Sequence, residues 1–185
     1  MLKKLKLGFP VRFKKAKLPT KQRLVGKYSI LEPIDVKKHA EDLYKHYSKG
    51  HKTFCGMASY LRITPEHGNI EVGHINYSPL LQNTAEGTEA MYLMMKNAFD
   101  KLGHRRYEWK CNNLNLESKK AAVRLGFKFE GVFRQSFIVK KRNRDTAWFS
   151  IIDKEWAKYK INYRRYLKSS NFDQQLIQKK KLKLI

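Results

Sequence analysis

The spacing of apolar residues predicts both kinds of regular structure along this chain. Alternation of apolar and polar residues predicts strands over 28–31, 55–63, Asn69–Tyr77, 105–112, 127–139 and 146–152, with 140–145 as the loop of a hairpin. Apolar residues at helical spacing predict helices after Asp35, Asn83 and Asn115, and a last helix over Asp153–Tyr166. The pattern predicts one domain over residues 27–167, a basic extended arm over 1–26 and a basic tail over 168–185.

The turn from Gln82 to Thr88 joins a predicted strand to a predicted amphipathic helix. Asn83, with Glu86 three residues later, resembles a capping box that would start this helix. The first backbone N–H groups of a helix have no partner within it, and the helix dipole adds positive charge there. The turn is therefore a candidate seat for a phosphate or pyrophosphate group.

Composition indicates a globular protein. Hydrophobic residues make up 42% of the 185 residues, a share sufficient for one folded core. No apolar run is long enough to span a bilayer and the N-terminus lacks the features of a secretory signal, so no membrane contact is predicted. Cys55 and Cys111 have no paired spacing, which argues against a disulfide framework or a zinc site and predicts a reducing, cytoplasmic location.

The net charge of +24 would attract polyanions such as RNA, ribosomes or phosphorylated cofactors. The basic residues are spread along the chain, with clusters at 3–17, 140–144 and 179–183. A lysine-rich source proteome would produce the same surface without any such function. Charge alone therefore leaves both interpretations open.

A series of short motifs resembles one enzyme family. They are Gly56-Met57-Ala58-Ser59, Ile70-Glu71-Val72-Gly73-His74-Ile75, Thr88-Glu89-Ala90, Asn115 with Ser118, Arg124-Leu125-Gly126-Phe127, Phe129-Glu130-Gly131-Val132-Phe133-Arg134 and Arg144-Asp145-Thr146-Ala147-Trp148. In this order they resemble the Gcn5-related N-acetyltransferases (GNAT), and within them the RimJ/RimL-like branch that acetylates amino groups. The resemblance implies an α/β (α+β) fold with a central mixed, mostly antiparallel sheet, a splayed pair of parallel strands and flanking helices.

The resemblance also implies acetyl-CoA as co-substrate and no metal. The pantetheine arm would lie along Ile75, Asn76 and Tyr77, and Asn115 would hydrogen-bond to the cofactor. The pyrophosphate would be held by the turn residues Gln82, Asn83, Thr84, Ala85, Glu86, Gly87 and Thr88. The family usually has Gln/Arg-x-x-Gly-x-Gly/Ala here, and this chain departs from it with alanine at position 85.

Two residues are candidates for proton transfer by the same resemblance. Glu71 would remove the proton of the amine, and Ser118 would protonate the leaving thiolate. The alternative for Glu71 is an ion pair with Arg62 or Arg106 or exposure to solvent, and the alternative for Ser118 is a plain first-turn serine. His74 is a weaker candidate, which the alternation places toward the helices.

The segment between the first helix and the Gly56 strand is shorter than in the relatives, where it forms one wall of the amine cleft. The first hypothesis is an N-acetyltransferase that acts on a protein N-terminus or a small amine. The alternatives are a shortened relative that binds acetyl-CoA with little or no activity, or a basic ribosome- or RNA-associated module. A homodimer is also compatible with the sequence.

Overall fold

The protein is described by a computed structural model that covers residues 8–48, 55–175 and 177–184. Its strands are β1 (Leu24–Val25), β2 (Ile30–Leu31), β3 (Gly56–Thr64), β4 (Asn69–Tyr77), β5 (Arg106–Asn112), β6 (Lys128–Val139) and β7 (Arg142–Ile152). Its α-helices are α1 (Val36–Ser48), α2 (Ala85–Lys96), α3 (Leu116–Arg124) and α4 (Asp153–Tyr166). A π-helical turn, Asn97–Lys101, extends α2, and a 3₁₀ turn, Ser169–Asn171, follows α4. The segment predicted to be short, residues 49–54, lies outside the described residues.

Five strands form the main sheet in the order β3-β4-β5-β7-β6. The β4–β5 pair is parallel and the other three pairs are antiparallel. β1 and β2 form a separate two-stranded hairpin. The predicted mixed, mostly antiparallel sheet with flanking helices is confirmed.

The core lies on one face of this sheet, called here the helix face, where α2, α3 and α4 pack. Alternate residues of β4, β5 and β7 point into it, and Ile70, Tyr107 and Ile151 have no solvent exposure. Methionines of α2 and tyrosines of α4 complete the core, and Tyr92 stacks on Tyr163 with ring centroids 5.1 Å apart. The residues between these on the strands point to the opposite face, called here the charged face.

A bulge in β4 changes which side chains reach the core. In the β3–β4 ladder one residue of β3 opposes two residues of β4, His74 and Ile75. His74 has a φ of 48°, and the extra residue reverses the alternation beyond it. Ile75 and Tyr77 therefore pack against the core, whereas His74 is exposed. The prediction that His74 faces the helices is wrong because alternation cannot register a bulge.

The β6–β7 hairpin closes more tightly than predicted. Lys140 and Lys141 form a two-residue turn with φ values of 49° and 60°, and Val139 pairs with Arg142. Both turn residues are left-handed, as a type I′ turn requires. The predicted loop over 140–145 is wrong, since residues 142–145 belong to β7.

Chain segments outside the sheet also pack against it. The backbone of Ala16 and Lys17 bonds to Pro65 and Leu102, at the end of the sheet where β4 and β5 begin. Phe172 and Leu184 from the basic C-terminal segment are buried in the core. Within the described ranges, no helix combines the length and the apolar character that crossing a bilayer requires.

Candidate active site

A gap opens between β4 and β5 on the C-terminal side of Val72 and Trp109. Parallel pairing runs from Asn69 with Arg106 to Val72 with Trp109 and goes no further in the described strands. From there on, β4 pairs only with β3, and β5 continues along β7 as far as Asn112. The bulge at His74 comes directly after the last paired residue of β4, and a bulge bends a strand and increases its twist. Beyond Val72, β4 and β5 have no ladder pairing with each other in the described strands.

The turn before α2 has unpaired donors at the end of this gap. Thr84 is the N-cap, and its hydroxyl accepts a hydrogen bond from Gly87 N at 3.1 Å and donates one to Leu81 O at 2.9 Å. The backbone N–H groups of Ala85 and Glu86 donate to no atom of the described residues. Two free donors at the positive end of a helix suit a phosphate oxygen.

Asn83 does not form the capping box that the sequence predicts. Its backbone is left-handed, with φ of 60°, and the helix begins two residues later at Ala85. Thr84 takes the capping position because its backbone is extended, as an N-cap requires. Gln82 turns back along the chain, and its side-chain amide donates to Tyr77 O at 2.9 Å.

Gly87 is required by the close approach of the turn to the helix. A Cβ atom at this position would lie 2.4 Å from the carbonyl oxygen of Leu81. Alanine is tolerated at position 85 because that residue is helical and needs no left-handed backbone. The departure from the usual family motif is therefore compatible with the local backbone.

Arg124 places a cation beside the first turn of α2. Its Nη1 donates to Thr88 Oγ1 at 3.0 Å, and the Thr88 hydroxyl donates to Thr84 O at 2.8 Å. The Arg124 Nε is enclosed and has no hydrogen-bond partner among the described residues. This residue was not assigned to the site from the sequence, although it belongs to the Arg124-Leu125-Gly126-Phe127 motif.

The start of α3 lies on the β5 side of the gap. Asn115 is the predicted N-cap, and its Oδ1 accepts a hydrogen bond from Ser118 N at 2.9 Å. Trp109 Nε1 donates to Ser118 Oγ at 3.1 Å, which leaves the serine proton for another acceptor. Burial raises the pKa of the nearby Cys111 thiol, so it is held as a neutral thiol.

Glu71 lies on the charged face beside the gap and is held by two cations. Both its oxygens accept hydrogen bonds from Arg62 Nη1, at 2.9 and 2.8 Å. Lys110 Nζ is 2.8 Å from the same carboxylate and also 2.8 Å from Glu108. The ion pair with Arg62, which the sequence left as an alternative, is present, whereas Arg106 pairs with other carboxylates.

These contacts belong to a longer row of alternating charges, called here the charge ladder: Arg62, Glu71, Lys110, Glu108, Arg106 and Glu130. The hydrogen bond with Glu130 raises the pKa of Arg106 and lowers that of Glu130. Burial acts to raise the pKa of Glu108, but hydrogen bonds from Arg106 and Lys110 outweigh it, and its pKa is lowered.

The predicted site residues lie on β4, in the turn before α2 and at the start of α3, the elements that border the gap. Ile75, Asn76 and Tyr77 lie on the strand that borders the gap, although Ile75 and Tyr77 pack toward α2 and Asn76 is exposed. Lys110 was not identified from the sequence as a member of the site. The alternation of Arg106, Glu108 and Lys110 along one strand was the available signal, since it places all three on one face. No group of three or more potential metal-binding side chains was found among the described residues.

Comparison with known protein families gives a match over the central part of the chain. The family model of the acetyltransferase (GNAT) domain matches residues 28–128, which is more than half of the chain. The chain belongs to the GNAT family. It is a GNAT-type acetyltransferase with solved relatives of similar extent.

A GCN5-related N-acetyltransferase from Brucella melitensis, known from its crystal structure, shares 35% sequence identity with this chain. The two structures match with a TM-score of 0.88 over 92% of this chain and 96% of that one. A probable GNAT-family acetyltransferase from Chromobacterium violaceum ATCC 12472 is 31% identical, with a TM-score of 0.71, over 83% and 98% of the two chains. An acetyl transferase from Salmonella typhimurium that modifies the N-terminal serine of ribosomal protein L7/L12 shares the fold at 21% identity and a TM-score of 0.50, over 53% and 56%. No curated protein matches the chain.

Proposed function

We propose that this GNAT protein transfers the acetyl group of acetyl-CoA directly to a primary amine. The observation that carries the proposal is the gap between β4 and β5, with two unpaired helix N–H groups at its end. A long ligand with a diphosphate in its middle and an extended arm suits this combination. Acetyl-CoA supplies a thioester, which an amine can attack without a covalent enzyme intermediate.

The turn would hold the diphosphate through the N–H groups of Ala85 and Glu86, with Arg124 adding positive charge beneath the same turn. Gln82, Asn83, Thr84, Gly87 and Thr88 shape the turn and complete the predicted cofactor set.

The stretch Ile75, Asn76 and Tyr77 of β4, which borders the gap, would bond to the pantetheine arm as an added strand would. One of these N–H groups would stabilise the oxyanion. Asn115 would contact the arm from the β5 side while it caps α3.

Glu71 and Ser118 would handle the protons of the reaction. Glu71 accepts the proton of the attacking ammonium, directly or through a water, on a carboxylate oxygen that keeps a lone pair beside its hydrogen bond from Arg62. Ser118 donates its proton to the departing thiolate, while Trp109 Nε1 fixes the orientation of the hydroxyl.

The engagement of Glu71 by Arg62 and Lys110 favours a second candidate, a relative that binds acetyl-CoA with little turnover. Arg62 and Lys110 contact this carboxylate from two sides, which leaves it fewer ways to contact an incoming amine. The two candidates differ in turnover and agree on cofactor binding.

The deciding experiment measures cofactor binding and turnover on the same protein. Thermal denaturation with acetyl-CoA should raise the melting temperature, since binding to the folded state alone stabilises it. Incubation with radiolabelled acetyl-CoA and a panel of amines should transfer the label to an amine. Glu71→Gln and Ser118→Ala should each lower kcat about 100-fold, while acetyl-CoA should still raise the melting temperature of both variants. Lys158→Gln, on the exposed side of α4, is the control.

A thermal shift without labelling of any amine would support the second candidate. Absence of a thermal shift would refute the cofactor seat and both candidates with it. Membership in the RimJ/RimL-like branch, the short segment before β3, a homodimer, a cytoplasmic location and binding to RNA or ribosomes stay predictions.

A further inference from the structure

Three side chains on the charged face of β7 carry enclosed polar atoms without partners. Arg144, Thr146 and Trp148 alternate along the strand and share this face. Arg144 Nε, Thr146 Oγ1 and Trp148 Nε1 have no hydrogen-bond partner anywhere in the described ranges. Thr146 is only 2% exposed. An unpaired buried polar group is unfavourable, so a ligand that moves the covering side chains aside and pairs with all three atoms would be stabilised.

All three groups can donate a hydrogen bond, and two of them can only donate. A ligand that satisfies them must present acceptor oxygens. Arg144 also carries a positive charge, and no carboxylate of the described residues lies within ion-pair distance of it. Carboxylate oxygens fit a cationic group flanked by neutral donors.

Aromatic rings border this row of donors. Phe133 stacks on Trp148 with centroids 4.5 Å apart, and the Arg144 guanidinium lies 5.7 Å from the Phe137 ring. Phe133 and Phe137 are 55% and 47% exposed, which is unusual for neighbouring phenylalanines on a sheet. The rings offer an apolar surface beside the donors.

The row lies next to the proposed reaction centre. Lys110 Nζ is 3.7 Å from the centroid of Trp148 and 2.8 Å from the carboxylate of Glu71. One side chain therefore separates the row from the proposed base. A molecule on these donors would place an attached amine within reach of the gap.

The carboxylates of the charge ladder are already paired. Glu71, Glu108 and Glu130 each contact a lysine or arginine of the charge ladder. Asp145 directs its carboxylate to Gln135 N and the Asn143 amide. A polyamine would meet no unpaired carboxylate of the charge ladder here and would be repelled by Arg144.

We propose that Arg144, Thr146 and Trp148 form a carboxylate-binding subsite for the acceptor, which is a primary amine that carries one or more carboxylates close to it. The proposal rests on the acetyltransferase function proposed above. Two sources share this chemistry, a free acidic amino acid and the N-terminus of an acidic polypeptide.

Competition kinetics test the acceptor class. The panel contains free glutamate, a peptide beginning Ser-Glu-Asp-Glu, the matched peptide beginning Ser-Lys-Arg-Lys, and spermidine. The acidic peptide or glutamate should have a kcat/KM at least about tenfold above the basic peptide and spermidine. Whichever of the two acidic acceptors is preferred identifies the source.

Variants of the row test the residues. Arg144→Gln should lower kcat/KM for the acidic acceptor about tenfold and leave that for the basic peptide nearly unchanged. Thr146→Val should act in the same direction with a smaller effect. Arg164→Gln removes the same charge from an exposed position on α4 and should change neither value. A preference for spermidine or the basic peptide, or an equal loss for all acceptors in Arg144→Gln, would overturn the proposal.

Calorimetric titration of the same peptides into the protein saturated with CoA gives a readout that needs no turnover. Tighter binding of the acidic peptide, weakened in Arg144→Gln, would support the subsite even if no acetyl group is transferred, and the proposed function alone would then fail. Equal or absent binding of the acidic peptide would refute the subsite independently of activity.

Discussion

Lys110 is the residue whose removal should reveal most about the charge ladder. Its side chain is 7% exposed, and its ammonium group lies 2.8 Å from both Glu71 and Glu108, which face each other on adjacent strands. The substitution Lys110→Met keeps the length and the packing under Trp148 but removes the charge. Two carboxylates then remain close together with one cation fewer.

The structure sets the size of the expected effect. Unit charges 2.8 Å apart attract by about 6 kcal/mol at an effective dielectric constant near 20, and desolvation of the three groups offsets most of this. Removing one partner of a buried pair typically costs about 3–5 kcal/mol. Glu71 keeps Arg62 and Glu108 keeps Arg106, so we expect the lower end, about 3 kcal/mol at pH 7.5. For a chain of this size the melting temperature should fall by roughly 6 to 12 °C.

The deficit should depend on pH with a definite sign. The pKa of Glu108 is lowered in the folded protein, so its contribution to stability is present above the unfolded value, about 4.3, and is lost as pH falls through the folded value. Without Lys110 one cause of the lowering disappears and the folded pKa rises. Acidification therefore lowers the stability of the variant less than that of the parent. The free energies of unfolding of the two proteins should converge as pH falls from 7.5 to 4.

Urea unfolding at pH 7.5 and at pH 4.5 measures both effects, with Lys158→Met on the exposed side of α4 as the matched control. Adding Glu108→Gln to Lys110→Met should restore part of the stability, because the remaining charges then balance. A free energy of unfolding within about 0.5 kcal/mol of the parent at pH 7.5, or the same deficit at both pH values, would refute the reasoning.

Three further perturbations test other parts of the structure. Gly87→Ala should lower the free energy of unfolding by about 1–3 kcal/mol and reduce the rise in melting temperature that acetyl-CoA causes, because the new Cβ would lie too close to Leu81 O. The control Gly8→Ala adds a Cβ with no neighbour within 4 Å, so both quantities should stay unchanged. Glu89→Gln should cost about 2 kcal/mol in urea unfolding and expose the β1–β2 hairpin to proteolysis, since the carboxylate accepts from three successive backbone N–H groups of residues 27–29. Tyr107→Phe should raise the free energy of unfolding by about 1 kcal/mol, because the buried Tyr107 hydroxyl has no partner in the described part of the chain. Tyr163→Phe should lower it by about 1 kcal/mol, because the hydrogen bond to Leu125 O is lost. Unchanged stability in Glu89→Gln, or the same sign for both tyrosines, would contradict these expectations.

Local patterns in the sequence determined the elements of the fold. Period-two alternation located β4 at its observed bounds, and helical spacing did the same for α4. Asn115 was identifiable as a cap because capping joins a side chain to a backbone group three residues away. Such features depend on neighbours in the chain, so the residues themselves carry the information.

Only the tertiary structure decided how the site is assembled. The bulge at His74 shifts every later residue of β4 to the other face, and a single inserted residue leaves no mark in an alternating pattern. The contacts of Glu71 with Arg62 and Lys110 join three strands whose register is set by the whole sheet. That the donors of Arg144, Thr146 and Trp148 lack partners also follows only from the tertiary structure, because the partners of a buried polar group can be distant in sequence. The sequence thus determined which chemical groups are present, and long-range packing determined which of them meet.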